Sequence, residues 1–354
     1  MYKIYDIIVS GDRTTLYFDE IISLLNAYGI QYELVDKISK VLRIKIFYNH
    51  INLENILSKS SSIRYIIEEK IYVEDLDNLD KKLSTVEWND LSLKSFKVFF
   101  LKIGKKKKNI HFRKIMTNIV KDIYEKIGQK TRVDVHNPDV KIIIICIDSK
   151  TLIVGKIINE FRGDRFRFRD PKAKVFRHPS MLTVKDARVL YNLSLTKPCE
   201  NSVLLDPFCG TGSILIEGGI ERSYSIGVEL KRNLIINALK NLREYNLHQY
   251  IDLINADSTL LPFRNCVFDC IATDPPYGKL ASINKHENCD LLGKFISQSF
   301  NILKKNSRIT IMYTDKYRNC ILEELKKRDI ILISEYSFTV HNELTRIIIV
   351  AEKK

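Results

Sequence analysis

Residues 202–213, Ser-Val-Leu-Leu-Asp-Pro-Phe-Cys-Gly-Thr-Gly-Ser, join an apolar strand to a helix through a turn with two glycines. Gly210 and Gly212 permit a tight turn and let a ligand approach the backbone where the helix begins. Two nucleotide-binding motifs fit this turn poorly. Leu215 stands where the dinucleotide fingerprint has its third glycine, and the Gly-Lys-Ser/Thr ending of a nucleoside-triphosphate loop is missing.

The residues after this turn repeat strand and helix signals to the end of the chain. The predicted strands are 202–205, 223–228, 250–254, 267–273, 308–314, 330–340 and 345–351. Such alternation predicts an α/β fold with a doubly wound, Rossmann-like sheet. The connection 341–344 is short enough for a hairpin, which would make one edge strand antiparallel.

Composition and charge narrow the class of protein. A length of 354 residues suggests two or three domains, and 28% charged with 45% hydrophobic residues is typical of a globular chain. No apolar run reaches the ~18 residues of a membrane helix, no signal peptide is evident, and the seven scattered cysteines form no paired framework. These features predict a cytoplasmic protein in a reducing compartment, without a membrane partner, although a hyperthermophile could still form disulfides there.

The net charge of +14 lies in the middle of the chain, because residues 101–200 hold 24 basic and 10 acidic side chains. A localised excess predicts an acidic partner, usually nucleic acid. Two segments carry the prediction of RNA contact. They are Lys105, Lys106, Lys107 and Lys108, and the arginines interleaved with phenylalanine at Arg162, Arg165, Arg167 and Arg169.

Acidic residues end several strands of the predicted sheet, where ligands of such folds bind. Glu229 suits two ribose hydroxyls, and Asp257 suits an adenine amine, although both could instead serve helix starts. The strongest local signal is Asp274-Pro-Pro-Tyr-Gly278. Its aspartate and a proline carbonyl could accept both hydrogens of a planar amino group, while Tyr277 stacks on the ring that bears it.

The cysteines and histidines of this region are interpreted as structural. Cys209 lies in the glycine turn, where packing is the favoured interpretation over a nucleophilic role. Cys266 and Cys270 have a spacing that could suggest metal, yet Cys270 falls in an apolar strand. No metal site is therefore predicted, and His178 before a proline is interpreted as structural.

Together, residues 206–212, 227–229, 256–257 and 274–278 resemble the S-adenosylmethionine-dependent amino-methyltransferases. Two features narrow the resemblance to the archaeal tRNA guanine-10 N2-methyltransferases. They are the form Asp-Pro-Phe-Cys-Gly-Thr-Gly-Ser of the glycine turn and the segment His178-Pro-Ser-Met. Val133-Asp-Val-His-Asn-Pro-Asp139 is similar to their RNA-binding THUMP domain. The resemblance implies a ferredoxin-like domain at 1–64, a THUMP domain at 65–160, a linker and the start of the catalytic domain at 161–200, and a class I methyltransferase domain at 201–354.

The same resemblance implies the cofactor, the substrate and a set of site residues. The cofactor is S-adenosylmethionine and the substrate is a tRNA guanosine, expected at position 10. The cofactor-binding residues are expected to be Asp206, Phe208, Gly210, Thr211, Gly212, Glu229, Asp257 and Ser258. Asp274, Pro275 and Tyr277 are expected to hold the guanine and serve catalysis.

Other functions stay open at this stage. They are a guanine-N2 methyltransferase of tRNA position 6 or of rRNA, a DNA adenine-N6 methyltransferase, a protein-glutamine methyltransferase, and a non-enzymatic RNA-binding module. The sequence leaves open one methyl group versus two, and the need for the small zinc-binding activator protein that accompanies some relatives. The chain on its own is expected to be a monomer.

Overall fold

The structure is a computed structural model of the 354-residue chain. It describes residues 2–47, 53–103, 111–148, 150–170, 176, 181–276, 285–328, 330–341 and 344–354. The chain forms two compact units, each assembled from separate segments. The first unit comprises Met1–Thr14, Gln31–Glu54 and Ile63–Arg162, and the second comprises Thr15–Ile30, Asn55–Ser62 and Gly163–Lys354.

The first unit is built on one eight-stranded sheet. Its strands are β1 (Tyr2–Val9), β2 (Tyr32–Ile38), β3 (Val41–Phe47), β4 (Ile63–Val73), β5 (Ser95–Lys102), β6 (Arg132–Val133), β7 (Val140–Cys146) and β8 (Leu152–Glu160). Their order in the sheet is β2-β3-β1-β4-β8-β7-β5-β6. Apolar residues of β4, β5, β7 and β8 form a buried cluster with Trp88 and with Ile119 and Ile123 of helix α4 (Phe112–Ile127).

Strand β4 joins the two halves of this sheet. It pairs antiparallel with β1 on one side, Ile7 opposite Ile66, and with β8 on the other, Ile67 opposite Ile157. The boundary predicted at residue 64 therefore lies inside a strand that both halves share.

The second unit has a seven-stranded sheet. Its strands are β9 (Val203–Asp206), β10 (Tyr224–Glu229), β11 (Ile251–Asn255), β12 (Phe268–Thr273), β13 (Leu303–Thr314), β14 (Ile330–His341) and β15 (Leu344–Lys353).

The remaining helices of both units are α1 (Thr14–Ala27), α2 (Leu53–Ser58), α3 (Leu79–Ser84), α5 (Val184–Ser194), α6 (Ser213–Ile220), α7 (Arg232–Glu244), α8 (Lys285–Ile302) and α9 (Arg318–Lys326). Within the described parts of the chain, no helix is both long and apolar enough to cross a membrane.

The strand order is β11-β10-β9-β12-β13-β15-β14, with the first five strands parallel. The predicted doubly wound sheet and the terminal hairpin are confirmed. The predicted antiparallel terminal strand is confirmed as β15. Strand β15 runs antiparallel to both β13 and β14 and lies between them, so the edge strand is β14.

Buried polar groups attach the N-terminal helix α1 to the rest of the second unit. Glu20 is fully buried, and its carboxylate accepts hydrogen bonds from Ser61 N at 2.7 Å and from Asn192 Nδ2 at 2.7 Å. One turn earlier on α5, Arg188 forms an ion pair with Glu217 of α6 at 2.7 Å. Buried charges need such partners, so α5 holds α1 and α6 through paired polar groups.

Two of the cysteines are paired, which the sequence left open. Cys289 of α8 and Cys320 of α9 form a disulfide across 31 residues of chain. Both lie on helices that meet only in the folded chain, so their spacing gave no signal. Cys266 is an exposed thiol and Cys270 is buried in β12.

Candidate active site

Three acidic side chains meet at one edge of the second sheet. Asp206, Glu229 and Asp274 stand at or just after the ends of β9, β10 and β12, which are neighbours in the sheet. Parallel strands place their carboxyl ends at the same edge. A cavity of about 80 Å³ opens there, lined by Met181, Leu182, Asp206, Phe208, Cys209, Gly210, Thr211, Ser213, Ile214, Leu234 and Asp274.

The glycine turn is held in a shape that other residues would resist. Gly212 precedes α6 with φ at 86°, in the left-handed region, and its N–H donates to the Cys209 carbonyl at 2.8 Å. Gly227 of β10 lies beneath the turn, where an added Cβ would come within 2.4 Å of Leu215 Cδ1. The turn and α6 can therefore pack directly on β10.

Asp206 is a buried acid in this cavity. It is 2% exposed, and its Oδ1 accepts hydrogen bonds from Thr273 Oγ1 at 2.8 Å and from Phe208 N at 3.2 Å. Burial raises the pKa of Asp206 to about 7, and the negative charges of Asp274 and Glu229 add to the rise. Such a site favours a positively charged ligand group, because a cation would stabilise the carboxylate.

Glu229 supports the glycine turn from the end of β10. Its Oε2 accepts from Gly210 N at 3.1 Å and its Oε1 accepts from Lys231 N at 2.9 Å. The side chain is half-buried. A carboxylate offers about four acceptor positions, so Glu229 can still accept hydrogen bonds from hydroxyl groups of a ligand.

Asp257 and Ser258 follow β11. Asp257 is exposed and its Oδ1 accepts from the backbone and the hydroxyl of Thr259, both at 2.8 Å. These bonds close a local turn, and no helix begins within the described residues 256–267, so the alternative role at a helix start is not seen. Ser258 is buried. Contact of either residue with an adenine stays a prediction.

The predicted catalytic residues begin where β12 ends. Asp274 is half-buried and lines the cavity, Pro275 is buried, and Tyr277 lies outside the described residues. His178 also lies outside them. Cys209 is buried, and burial raises the pKa of its thiol well above the usual value, which agrees with a packing role.

Sequence reasoning missed several residues that shape the cavity, including Met181, Leu182 and Leu234. It also missed Asn241 of α7, which is 1% exposed. Asn241 Nδ2 donates to the carbonyls of Thr211 at 3.2 Å and Phe176 at 3.3 Å, and its Oδ1 accepts from Phe176 N at 3.1 Å. The side chain thereby joins the glycine turn to Phe176. A single asparagine on a helix gives no sequence signal of this role.

The predicted RNA-contacting residues divide into three groups. Arg162 and Arg167 are exposed, and their contact with RNA stays a prediction. Arg165 and Arg169 are engaged inside the second unit instead, with the carbonyls of Ser58 and Ser60 and with the Glu217 carboxylate. Internal acceptors hold these two guanidinium groups, and their contact with RNA stays a prediction. Lys105 to Lys108 lie outside the described residues.

Comparisons with known proteins agree with this architecture. Residues 171–345 match the family model described as RMKL-like methyltransferase domain, and residues 73–154 match that of the THUMP domain. The crystal structure of TrmN from Thermus thermophilus is similar over 100% of both chains, with a TM-score of 0.53 at 18% identity. The fold and the site thus define a class I methyltransferase that carries a THUMP domain.

Relatives of known name make the assignment more specific. The tRNA (guanine(10)-N2)-dimethyltransferase of Methanothermobacter thermautotrophicus is 27% identical over 98% of both chains. A probable tRNA (guanine(10)-N2)-dimethyltransferase of Methanothermococcus thermolithotrophicus is 34% identical over 48% of this chain and 98% of its own. The chain belongs to the archaeal tRNA (guanine-10) N2-methyltransferase family.

Proposed function

We propose that this protein transfers methyl groups from S-adenosylmethionine to the exocyclic N2 amine of guanosine 10 in tRNA. The products are N2-methylguanosine and, after a second transfer, N2,N2-dimethylguanosine. The observation that carries the proposal is the convergence of Asp206, Glu229 and Asp274 beside the glycine turn. The names of the relatives support the choice of substrate.

The residues around the cavity fit the cofactor. Asp206 is a buried acid with two other acids nearby, so it suits the ammonium group of S-adenosylmethionine. Phe208, Gly210, Thr211 and Gly212 line the methionine end, Glu229 accepts the ribose hydroxyls, and Asp257 with Ser258 faces the adenine. When bound, the cofactor supplies an electrophilic methyl group on a sulfonium.

Asp274, Pro275 and Tyr277 prepare the amine. A guanine amine is a weak nucleophile because its lone pair is delocalised into the ring. Asp274 and the Pro275 carbonyl accept its two N–H groups, which orients the lone pair and favours a pyramidal nitrogen. Tyr277 stacks on the base, and Asp274 takes the released proton. Positioning and electrostatics of this kind supply most of the rate.

The basic middle of the chain holds the tRNA through its phosphates. Lys105 to Lys108, Arg162 and Arg167 are the proposed contacts, since phosphate contacts position the nucleic acid with little base information. We place the activity in the cytoplasm with its substrate and expect a monomer. Activity of the purified chain alone decides whether a small zinc-binding activator protein is required.

The test uses the full chain, an unmodified tRNA transcript and labelled S-adenosylmethionine, followed by mass spectrometry of the nucleosides. We expect methylated guanosine, and no label in a matched transcript with adenosine at position 10. Methyladenosine as the product, or undiminished guanosine methylation of the altered transcript, would contradict the proposed substrate.

Two variants separate chemistry from binding. Asp274→Ala should slow single-turnover methylation at saturating tRNA by about 10²–10³-fold, because one acceptor is lost in the transition state. Changing Lys105 to Lys108 together to Ser should instead weaken tRNA binding and reduce its logarithmic salt slope by about 0.7–0.9 per lost contact. If Asp274→Ala methylates tRNA at the wild-type rate, Asp274 has no catalytic role. If the lysine variant keeps the wild-type salt slope, the lysines do not contact the tRNA.

A further inference from the structure

Residues 165–169, Arg-Phe-Arg-Phe-Arg, send their side chains to two different places. The ring of Phe166 is buried, with the guanidinium groups of Arg165 and Arg169 lying 4.7 and 5.3 Å from its centre. Phe168 has the opposite environment, with 82% of its surface exposed, and Arg167 beside it is exposed as well. The segment therefore has an inner set and an outer set of side chains.

The inner set fixes the backbone of this segment. Arg169 Nε and Nη2 donate to the two carboxylate oxygens of Glu217 at 3.0 and 3.3 Å, and Glu217 is 1% exposed. The Tyr245 hydroxyl donates to the carbonyl of Phe168 itself at 3.2 Å, and Arg169 N closes a turn on the Phe166 carbonyl at 3.0 Å. The exposed ring thus stands on an anchored turn, and little backbone freedom is lost when a ligand covers it.

The surroundings of Phe168 favour a nucleic acid as that ligand. The ring follows exposed Arg167, within the segment that carries the whole net charge of the chain. An aromatic face next to a cation is the combination that binds unpaired nucleotides, since the ring stacks on a base and the cation meets a phosphate. An exposed ring with no such partner would gain nothing from an anchored backbone.

We propose that Phe168 is a stacking platform for an unstacked nucleotide of the tRNA, with Arg167 contacting an adjacent phosphate. The inference rests on the proposed function, because it takes tRNA as the partner. It assigns base contact to a residue of the second unit that does not line the cavity.

The test compares the tRNA affinity of the full-length wild type with three variants of Phe168 and one of Arg167. Phe168→Ala and Phe168→Leu should each weaken binding by about 5- to 100-fold without changing the salt slope, because stacking is lost and no charge is removed. Phe168→Trp should keep wild-type affinity. Arg167→Ser should lower the salt slope by about one contact. Ile333→Ala is the matched control, since Ile333 is an exposed apolar residue of the second unit but has no aromatic face.

A direct readout comes from tryptophan fluorescence. The chain has a single tryptophan, Trp88, which is 1% exposed. In Phe168→Trp the additional indole is at the surface, and stacking on a base should quench it when tRNA is added, whereas the wild type should change little. The high exposure of Phe168 makes misfolding of these variants unexpected, and thermal unfolding verifies that they are folded.

The outcomes separate the inference from the proposed function. Wild-type affinity for tRNA in Phe168→Ala, or an indole that tRNA does not quench, overturns the platform while wild-type methylation of tRNA stands. Failure of the wild type to methylate any tRNA overturns the proposed function, and the inference with it. Equal losses in Phe168→Ala and Ile333→Ala would also overturn it, because exposed apolar area would then explain the effect.

Discussion

Replacing Asp206 by Asn should make the protein more stable at neutral and alkaline pH while disabling its cofactor site. The carboxyl group of Asp206 is buried, and its pKa is raised from 3.8 to about 7. An asparagine of the same shape can still accept the hydrogen bonds from Thr273 and Phe208 through its amide oxygen. It removes only the charge that burial disfavours.

The magnitude follows from the two pKa values. The folded state binds the proton more tightly, so the stability that Asp206 contributes is present below pH 3.8 and is lost as the pH rises to about 7. Each pKa unit corresponds to about 1.4 kcal/mol. In the protein without cofactor, Asp206→Asn should therefore raise the free energy of unfolding by up to about 4 kcal/mol at pH 8 and by about 2 kcal/mol at pH 5.

The assay is urea unfolding of both proteins from pH 5 to pH 8, with S-adenosylmethionine binding measured in parallel by calorimetry. Wild-type affinity for the cofactor should improve as the pH rises toward 7 and then level off, because the carboxylate must be ionised to pair with the ammonium group. The variant should bind about 10- to 100-fold more weakly, with a flat profile. A stability difference that is the same at pH 5 and pH 8 would refute the reasoning about burial.

Three further predictions concern other parts of the second unit. Glu229→Ala should weaken S-adenosylmethionine binding about tenfold or more and leave tRNA affinity unchanged, since a hydrogen bond to a charged group is worth about 1.5–3 kcal/mol. If calorimetry gives the variant the same cofactor affinity as the wild type, Glu229 does not belong to the site. Asn241→Ala should speed hydrogen exchange at the Phe176 amide and weaken cofactor binding several-fold. Unchanged exchange at that amide would mean that Asn241 does not bind Phe176 in solution. Cys289→Ser with Cys320→Ser should lower the free energy of unfolding by about 3–4 kcal/mol in the chain-entropy estimate for a 31-residue loop. Thiol titration of the wild type should detect only the remaining cysteines, and an extra pair of reactive thiols would contradict the disulfide.

The sequence predicted best what depends on neighbouring residues. The strands that end at Asp206 and Glu229 have local hydrophobic patterns, and the order of an open parallel sheet then brings their ends together. The glycine turn could be located for the same reason, because a positive φ at Gly212 is a property of that residue.

What the sequence could not supply depends on the partners that folding provides. Arg165, Arg167 and Arg169 are the same residue type in one short segment, yet two face inward and one faces solvent. The difference is set by Glu217 and by the carbonyls near α2, which are far away in the sequence. The pairing of Cys289 with Cys320 and the hydrogen bonds of Asn241 with Phe176 are long-range in the same way.

The contact between Glu20 and Asn192 spans 172 residues of chain, which has a consequence for how the protein is made. On a ribosome that adds about 5–20 residues per second, α1 emerges roughly 10–30 s before the helix that will cover its carboxylate. During that interval the apolar face of α1 has no permanent cover. Newborn chains should therefore depend on chaperones at this helix. A fragment starting at residue 163 would lack the helix that fills this position, and we expect it to aggregate unless a peptide containing residues 15–30 is supplied.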